Sequence, residues 1–190
     1  MKRMGILGGT FNPVHMGHLT VAQMVHEKLK LDRVIFVPSH IPPHKKSTNI
    51  ASPQDRLHML RLAIRGNPTF EVSNYEIQKK GKSYSIDTIH YFHERYPHRT
   101  KFFFIIGIDL LPTLHRWKRV EEMLKMVTFV AVNRPGFKKR TAKIKVRIVN
   151  VPVVQTSSTF VRQRIMAGKT IKFLVPDTVL DYIERNKLYQ

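Results

Sequence analysis

The sequence predicts an α/β fold in which a doubly wound, mostly parallel sheet carries helices on both faces. Two observations support this prediction. Short runs of β-branched and aromatic residues alternate with segments of helical spacing, and this alternation requires crossover connections between parallel strands. The most apolar run, Phe102–Ile106, lies near the middle of the chain and is typical of a strand buried on both faces.

The strands are predicted from apolar runs that are bounded by turn residues. In chain order they are Met4–Leu7, Val34–Pro38, Phe70 to about Ile77, Phe102–Ile106, Thr128–Val132 and Val146–Val154. With the helices between them, these strands indicate a Rossmann-like fold, in which ligands bind beyond the carboxyl ends of the strands.

The helices are predicted from apolar side chains at three- and four-residue spacing and from residues that start or stop a helix. Ser52 followed by Pro53 is a start signal, Ser157 opens a later helix, and Gly168 is a stop signal. The expected helices begin near Leu19, Ser52, Ile86, Pro112, Val120, Ser157 and Pro176.

The composition is that of a globular protein. Among 190 residues 42% are hydrophobic and 24% charged, and we expect one domain over residues 1–190, with a helical C-terminal part from about 157. The absence of cysteine excludes disulfides and cysteine-bound metals, and it agrees with a cytoplasmic location. The first apolar run is too short for a signal peptide, and no run of about 18 apolar residues indicates a membrane span.

The chain is strongly basic. Its 33 basic and 13 acidic residues give a net charge of +20, which attracts phosphates on nucleotides, nucleic acids or lipids. The densest basic stretch, Lys138–Arg147, contains no aromatic residue that could stack on bases. We therefore expect a nucleotide pocket in a basic protein, and no specific nucleic-acid or membrane partner.

A glycine-rich loop follows the first strand and leads into a helix. It reads GGTFNPVHMGH over residues 8–18. Glycines allow backbone N–H groups to approach a ligand closely, and a helix N-terminus favours anions. His15 and His18 stand where the helix begins and can donate hydrogen bonds to a polyphosphate. A single histidine there would be an ordinary helix-start residue, but the whole loop predicts a nucleotide site.

Three further loops follow predicted strands and should meet at the same crevice. Lys45, in a proline-rich loop, could bind phosphate as a mobile cation or simply lie in solvent. Asp109, after Gly107, could bind ribose hydroxyls or cap the next helix, and Trp117 could stack on a heterocycle or fill the core. Ser157–Arg162 combines hydroxyls, helix N–H groups and an arginine into a second anion site, although capping alone would explain its serines.

These motifs resemble those of the bacterial nicotinate-mononucleotide adenylyltransferases, in the nucleotidylyltransferase superfamily. The matching segments cover nearly the whole chain in order: GGTFNPVHMGH, IPPHK, SYSIDT, FFIIGIDLLPTLHRW, NRPGF and SSTFVR. The resemblance implies an enzyme of NAD biosynthesis that joins ATP to nicotinate mononucleotide, giving nicotinate adenine dinucleotide and pyrophosphate. It also implies Mg²⁺ bound to ATP, mainly through substrate oxygens and water.

The resemblance further implies a role for each matching residue. His15, His18 and Arg162 would be catalytic and act on the ATP phosphates. The residues expected to bind ATP are Gly8, Gly9, Thr10, Phe11, Gly107, Asp109, Ser157, Ser158 and Thr159. Those expected to bind nicotinate mononucleotide are Lys45, Ser85, Trp117 and Arg134. No residue is assigned as a metal ligand.

Three positions depart mildly from the family pattern. Asn12 stands where aspartate is also common, and Thr156 replaces a usual isoleucine. Ile108 stands where a small residue is more usual, and a larger side chain there would crowd the ribose region.

Three other interpretations have less support. Pantetheine-phosphate adenylyltransferases usually carry Thr-x-Gly-His, are shorter and lack the IPPHK and HRW segments. A class I tRNA synthetase needs a far longer chain and a Lys-Met-Ser-Lys-Ser-type loop, which this sequence lacks. A nucleic-acid-binding protein would need aromatic residues among its basic ones. The sequence leaves open a homo-oligomer and the strength of any preference for nicotinate over nicotinamide.

Overall fold

The computed structural model describes residues 1–41, 49–133, 144–152 and 155–190. These ranges contain six strands: β1 (Arg3–Gly9), β2 (Arg33–Pro38), β3 (Phe70–Val72), β4 (Lys101–Gly107), β5 (Val127–Val132) and β6 (Arg147–Val149). They form one sheet in the order β3-β2-β1-β4-β5-β6, and every neighbouring pair is parallel. The predicted doubly wound, parallel sheet is confirmed.

Helices connect the strands and cover the sheet. They are α1 (Met16–Leu29), α2 (Pro53–Ala63), α3 (Tyr75–Lys79), α4 (Ser85–Arg95), α5 (Leu111–Leu114), α6 (Val120–Met126), α7 (Ser158–Met166) and α8 (Asp177–Arg185). The predicted N-caps are confirmed, since Ser52 Oγ accepts from the Asp55 N–H and Ser157 Oγ from the Phe160 N–H, both at 3.1 Å. Within the described ranges, no helix has the length and apolarity needed to cross a membrane.

Three predicted boundaries were wrong. The first helix begins at Met16 rather than near Leu19, because His15 takes the N-cap position. The third strand ends at Val72 instead of about Ile77, and Tyr75–Lys79 forms a short helix. Contacts with α4 hold this short helix: Tyr75 stacks on Tyr91 at 4.1 Å, and the hydroxyl of Thr88 donates to Glu76 at 2.6 Å. The last strand is also shorter than predicted, with residues 153 and 154 outside the described part.

A hydrophobic cluster lies on each face of the sheet. The first contains Val25 of α1 and Val161 of α7, together with residues of α2 and α8. The second contains Ile89 of α4 and Leu114 of α5, together with residues of α6. Successive residues of Phe102–Ile106 alternate between the two clusters, and each is at most 5% exposed, so the predicted burial of both faces of β4 is confirmed.

The strand order reverses between β1 and β4. From β1 the chain runs outward through β2 to β3 and then returns to the other side of β1 to form β4, β5 and β6. In an open parallel sheet, this reversal opens a crevice at the carboxyl ends of the two central strands. Gly9 ends β1 and Gly107 ends β4, so the fold places two of the predicted motifs beside each other.

Candidate active site

The two histidines of the β1–α1 loop lie against each other. Their ring centroids are 3.7 Å apart, and their planes are inclined by 32°. The backbone N–H of His15 donates to Nδ1 of His18 at 3.3 Å. Because Nδ1 is the acceptor, a neutral His18 carries its proton on Nε2. Nε2 is therefore the atom through which His18 would donate a hydrogen bond to a phosphate oxygen.

Close packing of small and aromatic residues fixes the position of these rings. A Cβ at Gly17 would lie 3.1 Å from Cε1 and Nδ1 of His15, which is closer than side chains normally pack. Phe11 contacts His18 edge-on, with centroids 5.0 Å apart, and packs against Phe36 on its other side. Phe11 is only 1% exposed, so its side chain supports His18 from the core and only its backbone could reach ATP.

The start of α7 is attached to the same loop. The hydroxyl of Ser158 donates to the backbone carbonyl of Pro13 at 2.9 Å, and Nη1 of Arg162 donates to the carbonyl of Asn12 at 2.7 Å. Ser157 uses its hydroxyl to cap the helix, and Thr159 is exposed. The structure thus brings Arg162 and the two histidines to one loop, and the hydroxyls of Ser157 and Ser158 both have partners within the protein.

Arg56 is a residue of this region that the sequence did not indicate. Its side chain is fully buried, and its guanidinium donates to the backbone carbonyls of Thr10 and Ser39 at 2.8 and 2.7 Å. It also donates to the carbonyls of Ala51 and His40. Burial lowers the pKa of this guanidinium from its usual value. The predicted ATP-binding residue Thr10 is therefore held through its backbone by a buried cation.

The end of β4 supplies the predicted ribose site. Gly107 and Asp109 are partly exposed at the crevice, and Asp109 lies in a 3-10 turn over Ile108–Leu110. The side chain of Ile108 is 6% exposed and belongs to the second hydrophobic cluster. It packs into the core, so the expected crowding of the ribose region by Ile108 is not supported.

Ser85 and Trp117 are the residues predicted to hold the nicotinate group. Ser85 is the first residue of α4, where an α-helix leaves backbone N–H groups without intrahelical partners. Trp117 packs edge-on against Phe104, with centroids 6.2 Å apart, and remains partly exposed. Tyr84 packs on the same cluster as Trp117. The structure therefore supports both the core role and an accessible edge for this tryptophan.

Lys118 is a second residue that the sequence did not single out. Its Nζ lies 4.4 Å from the centre of the Tyr84 ring. A cation at this distance is attracted by the face of the ring. It places a positive charge next to the first turn of α4, where the nicotinate carboxylate is expected.

Two predicted residues fall outside the described part of the chain. Lys45 of the IPPHK segment lies within 42–48, and Arg134 of the NRPGF segment lies within 134–143. Both remain predictions. Asn133, just before Arg134, is described and exchanges two hydrogen bonds with the backbone of Val151 at 3.0 and 2.6 Å.

Comparison with known proteins places this chain in a family. The family model described as cytidylyltransferase-like matches residues 6–164, which run from within β1 to within α7 and include the strands β2 to β6. A curated relative from Oceanobacillus iheyensis is 42% identical over 189 residues, covering 100% of this chain and 97% of the relative. Another from Bacillus cereus is 44% identical over 190 residues, with full coverage of both. Both bear the name "Probable nicotinate-nucleotide adenylyltransferase".

Solved structures of lower identity share the fold. The nicotinic acid mononucleotide adenylyltransferase of Plasmodium falciparum, complexed with NaAD, superposes with a TM-score of 0.82. It is 19% identical in sequence, and the match covers 100% of this chain and 98% of the other. The same enzyme complexed with APC gives a TM-score of 0.80. This likeness supports the architecture, including the crevice between β1 and β4.

Proposed function

This chain belongs to the nicotinate-nucleotide adenylyltransferase family, and we propose that its crevice transfers AMP from ATP to nicotinate mononucleotide. The products are nicotinate adenine dinucleotide and pyrophosphate. One observation supports the proposed site above all others. Arg162 and Ser158 at the start of α7 are hydrogen-bonded to the same loop that carries His15 and His18. Donors from both ends of the chain therefore line one crevice.

The reaction needs no nucleophile from the protein. A phosphate oxygen of nicotinate mononucleotide attacks the α-phosphorus of ATP and forms a new P–O bond. The bond between the α-phosphorus and the oxygen that bridges to the β-phosphorus breaks, and pyrophosphate leaves with the electron pair. Because the attacking phosphate is already ionised, the enzyme's task is to align the reactants and stabilise charge.

The histidines and Arg162 would supply that stabilisation. His18 would donate from Nε2 to an oxygen of the triphosphate, and His15 would contact the phosphates beside it. Arg162 would use N–H groups other than the one bound to the Asn12 carbonyl. These groups are held in place before the nucleotide binds, so little reorganisation is needed as negative charge moves to the leaving pyrophosphate.

The other predicted residues would orient the two nucleotides. Gly8 is exposed at the end of β1, and with Gly9 it would let the triphosphate approach the backbone. Asp109 would accept hydrogen bonds from the ribose of ATP. Ser85 and Trp117 would hold the carboxylate and ring of the nicotinate. Lys45 and Arg134 are proposed as phosphate and mononucleotide contacts from the resemblance alone, and Thr159 as a further contact with ATP.

Mg²⁺ would accompany the triphosphate. Within the described residues, no group of three His, Cys, Asp or Glu side chains is arranged to hold a metal ion. The histidines and Arg162 offer nitrogen groups, whereas Mg²⁺ prefers oxygen ligands in an octahedral arrangement. Oxygens of the triphosphate and water would therefore hold the ion, which would neutralise part of the phosphate charge.

We further propose one catalytic domain over residues 1–190, with α7 and α8 as its C-terminal part. A cytoplasmic location fits a chain without cysteine. ATP and nicotinate mononucleotide are the proposed partners, and the proposal is compatible with a homo-oligomer. The net charge of +20 would attract nucleotides, and no specific nucleic acid is proposed as a partner.

A direct assay tests this function. The purified protein is incubated with ATP, Mg²⁺ and one of three acceptors: nicotinate mononucleotide, nicotinamide mononucleotide or phosphopantetheine. Pyrophosphate release is followed, and the dinucleotide product is identified by mass spectrometry. We expect efficient formation of nicotinate adenine dinucleotide. Transfer only to phosphopantetheine would show that the acceptor has been assigned wrongly.

A further inference from the structure

A tyrosine near the end of the sequence reaches the nucleotide loop. Tyr189 is 5% exposed, and its hydroxyl donates to Oδ1 of Asn12 at 2.8 Å. The two residues are 177 positions apart in the chain. A buried hydroxyl needs a hydrogen-bond partner. The partner of the Tyr189 hydroxyl lies in the loop between β1 and α1, after the glycines and before the histidines.

Asn12 is the centre of a small buried network. Its Oδ1 also accepts from the N–H of Ala51 at 2.9 Å, and its Nδ2 donates to the carbonyl of Asn49 at 3.0 Å. Its own backbone carbonyl accepts the 2.7 Å hydrogen bond from Arg162. Asn12 is 3% exposed, so water has little access to replace a missing partner. The orientation of the Asn12 backbone carbonyl, and therefore the position of Arg162, depends on these hydrogen bonds of the Asn12 side chain.

Tyr189 acts in this network as a neutral donor. Burial raises the pKa of its hydroxyl above the usual value, even though the nearby positive charges of Arg162 and Arg56 oppose that rise. The hydroxyl therefore keeps its proton at neutral pH and can always donate to Asn12. The buried Arg56 and the partly exposed Arg162 both donate to backbone carbonyls of this loop, and the tyrosine adds a donor without adding charge.

We propose that Tyr189 is a positioning residue for adenylyl transfer, which holds Asn12 so that the Asn12 carbonyl fixes Arg162. Tyr189 does not contact the reacting atoms. This inference depends on the proposed function, because it assigns Arg162 to the triphosphate. With this role for Tyr189, the segment after α8 supports the active site.

Tyr189→Phe removes the donor and keeps the ring. Tyr182→Phe is its matched control, because the hydroxyl of Tyr182 makes an equally short bond of 2.8 Å to Asp55 of α2 rather than to Asn12. We expect Tyr189→Phe to lower kcat by about tenfold, the effect of losing one hydrogen bond, with the KM for nicotinate mononucleotide nearly unchanged. Tyr182→Phe should keep kcat. Similar shifts of Tm with equal kcat values in both variants would show a merely structural role and overturn the proposal.

A double-mutant cycle identifies the route of the effect. If Tyr189 acts through Arg162, then Tyr189→Phe should lower kcat no further in a protein that already carries Arg162→Ala. Fully additive losses would overturn the proposal.

Substitutions of Asn12 give a second comparison: Asn12→Asp keeps the acceptor for Tyr189 and should retain more turnover than Asn12→Leu. Equal turnover in these two variants would contradict the assigned role of the Asn12 side chain.

The failure of this proposal can be told apart from failure of the proposed function. If the unmodified protein makes no nicotinate adenine dinucleotide, both are overturned. If the unmodified protein is active and Tyr189→Phe turns over equally fast, only the positioning role is overturned.

Discussion

The guanidinium of Arg162 lies 2.7 Å from the backbone carbonyl oxygen of Asn12, although 150 positions separate the two residues. The bond joins the first turns of α7 to the loop between β1 and α1. A guanidinium has five N–H donors, so a single bond to the protein holds the group in place while other donors can reach a phosphate. Catalysis by preorganised charge requires this combination of anchorage and remaining donors.

The first prediction concerns the contact between Gly17 and His15. A methyl group at position 17 would lie 3.1 Å from the His15 ring, so the ring must move by a few tenths of an ångström or more. We expect Gly17→Ala to lower kcat by about tenfold, because small displacements at a reacting centre are costly. Thr20→Ala, one turn further along α1, is the matched control and should keep kcat. Wild-type turnover in a folded Gly17→Ala protein would contradict the inferred position of His15.

The second prediction concerns the choice of acceptor. The first turn of α4 favours an anion, and Lys118 places a positive charge over Tyr84, next to Ser85. We therefore expect a higher kcat/KM for nicotinate mononucleotide than for nicotinamide mononucleotide. Lys118→Gln should reduce that ratio, whereas Lys125→Gln, in the last turn of α6, should leave it unchanged. Equal kcat/KM values for the two acceptors in the unmodified protein would place the carboxylate elsewhere.

The third prediction concerns the pH dependence of stability. Burial raises the pKa of the Glu76 carboxyl above its usual value of 4.5, and hydrogen bonds from Thr88 and Ser83 offset only part of the rise. The folded state therefore holds this proton more tightly than the unfolded state does. The stabilisation from Glu76 is complete below pH 4.5 and is lost as the pH rises through the higher pKa of the folded protein.

Glu76→Gln removes this titration and keeps an acceptor for Thr88. As the pH rises from below 4.5 toward neutrality, the free energy of unfolding of the variant should increase relative to that of the wild type. Denaturant unfolding at several pH values measures the difference. Glu71→Gln, at a partly exposed carboxylate on β3, is the matched control. A difference between Glu76→Gln and the wild type that stays constant across this range would refute the pKa shift.

Much of the fold and of the phosphate site could be predicted from the sequence because local patterns encode them. The apolar run Phe102–Ile106 marks the central strand, and serine caps mark α2 and α7. His15 and His18 stand at the start of a helix after a glycine turn, and this arrangement can be recognised from neighbouring residues in the sequence. Parallel strands then bring these motifs to the same edge of the sheet.

Contacts that depend on distant parts of the chain could not be predicted in this way. The third strand was expected to continue to about Ile77, but contacts with α4, including the stacking of Tyr75 on Tyr91 and the bond from Thr88, favour a helix there. Arg56 has the sequence context of an exposed helical residue, yet four backbone carbonyls satisfy it in the core. No periodicity relates Tyr189 to Asn12.

We infer that His18 donates to the triphosphate in the transition state, and the turnover of His18→Ala tests this role. The kcat is measured at saturating ATP and nicotinate mononucleotide, with Tm as a check of folding. His26→Ala, in the last turn of the same helix, is the matched control and should keep kcat. We predict a loss of about 10²-fold or more for His18→Ala, the effect of removing one transition-state donor. Turnover near that of the wild type in a folded His18→Ala protein would contradict the catalytic role of His18.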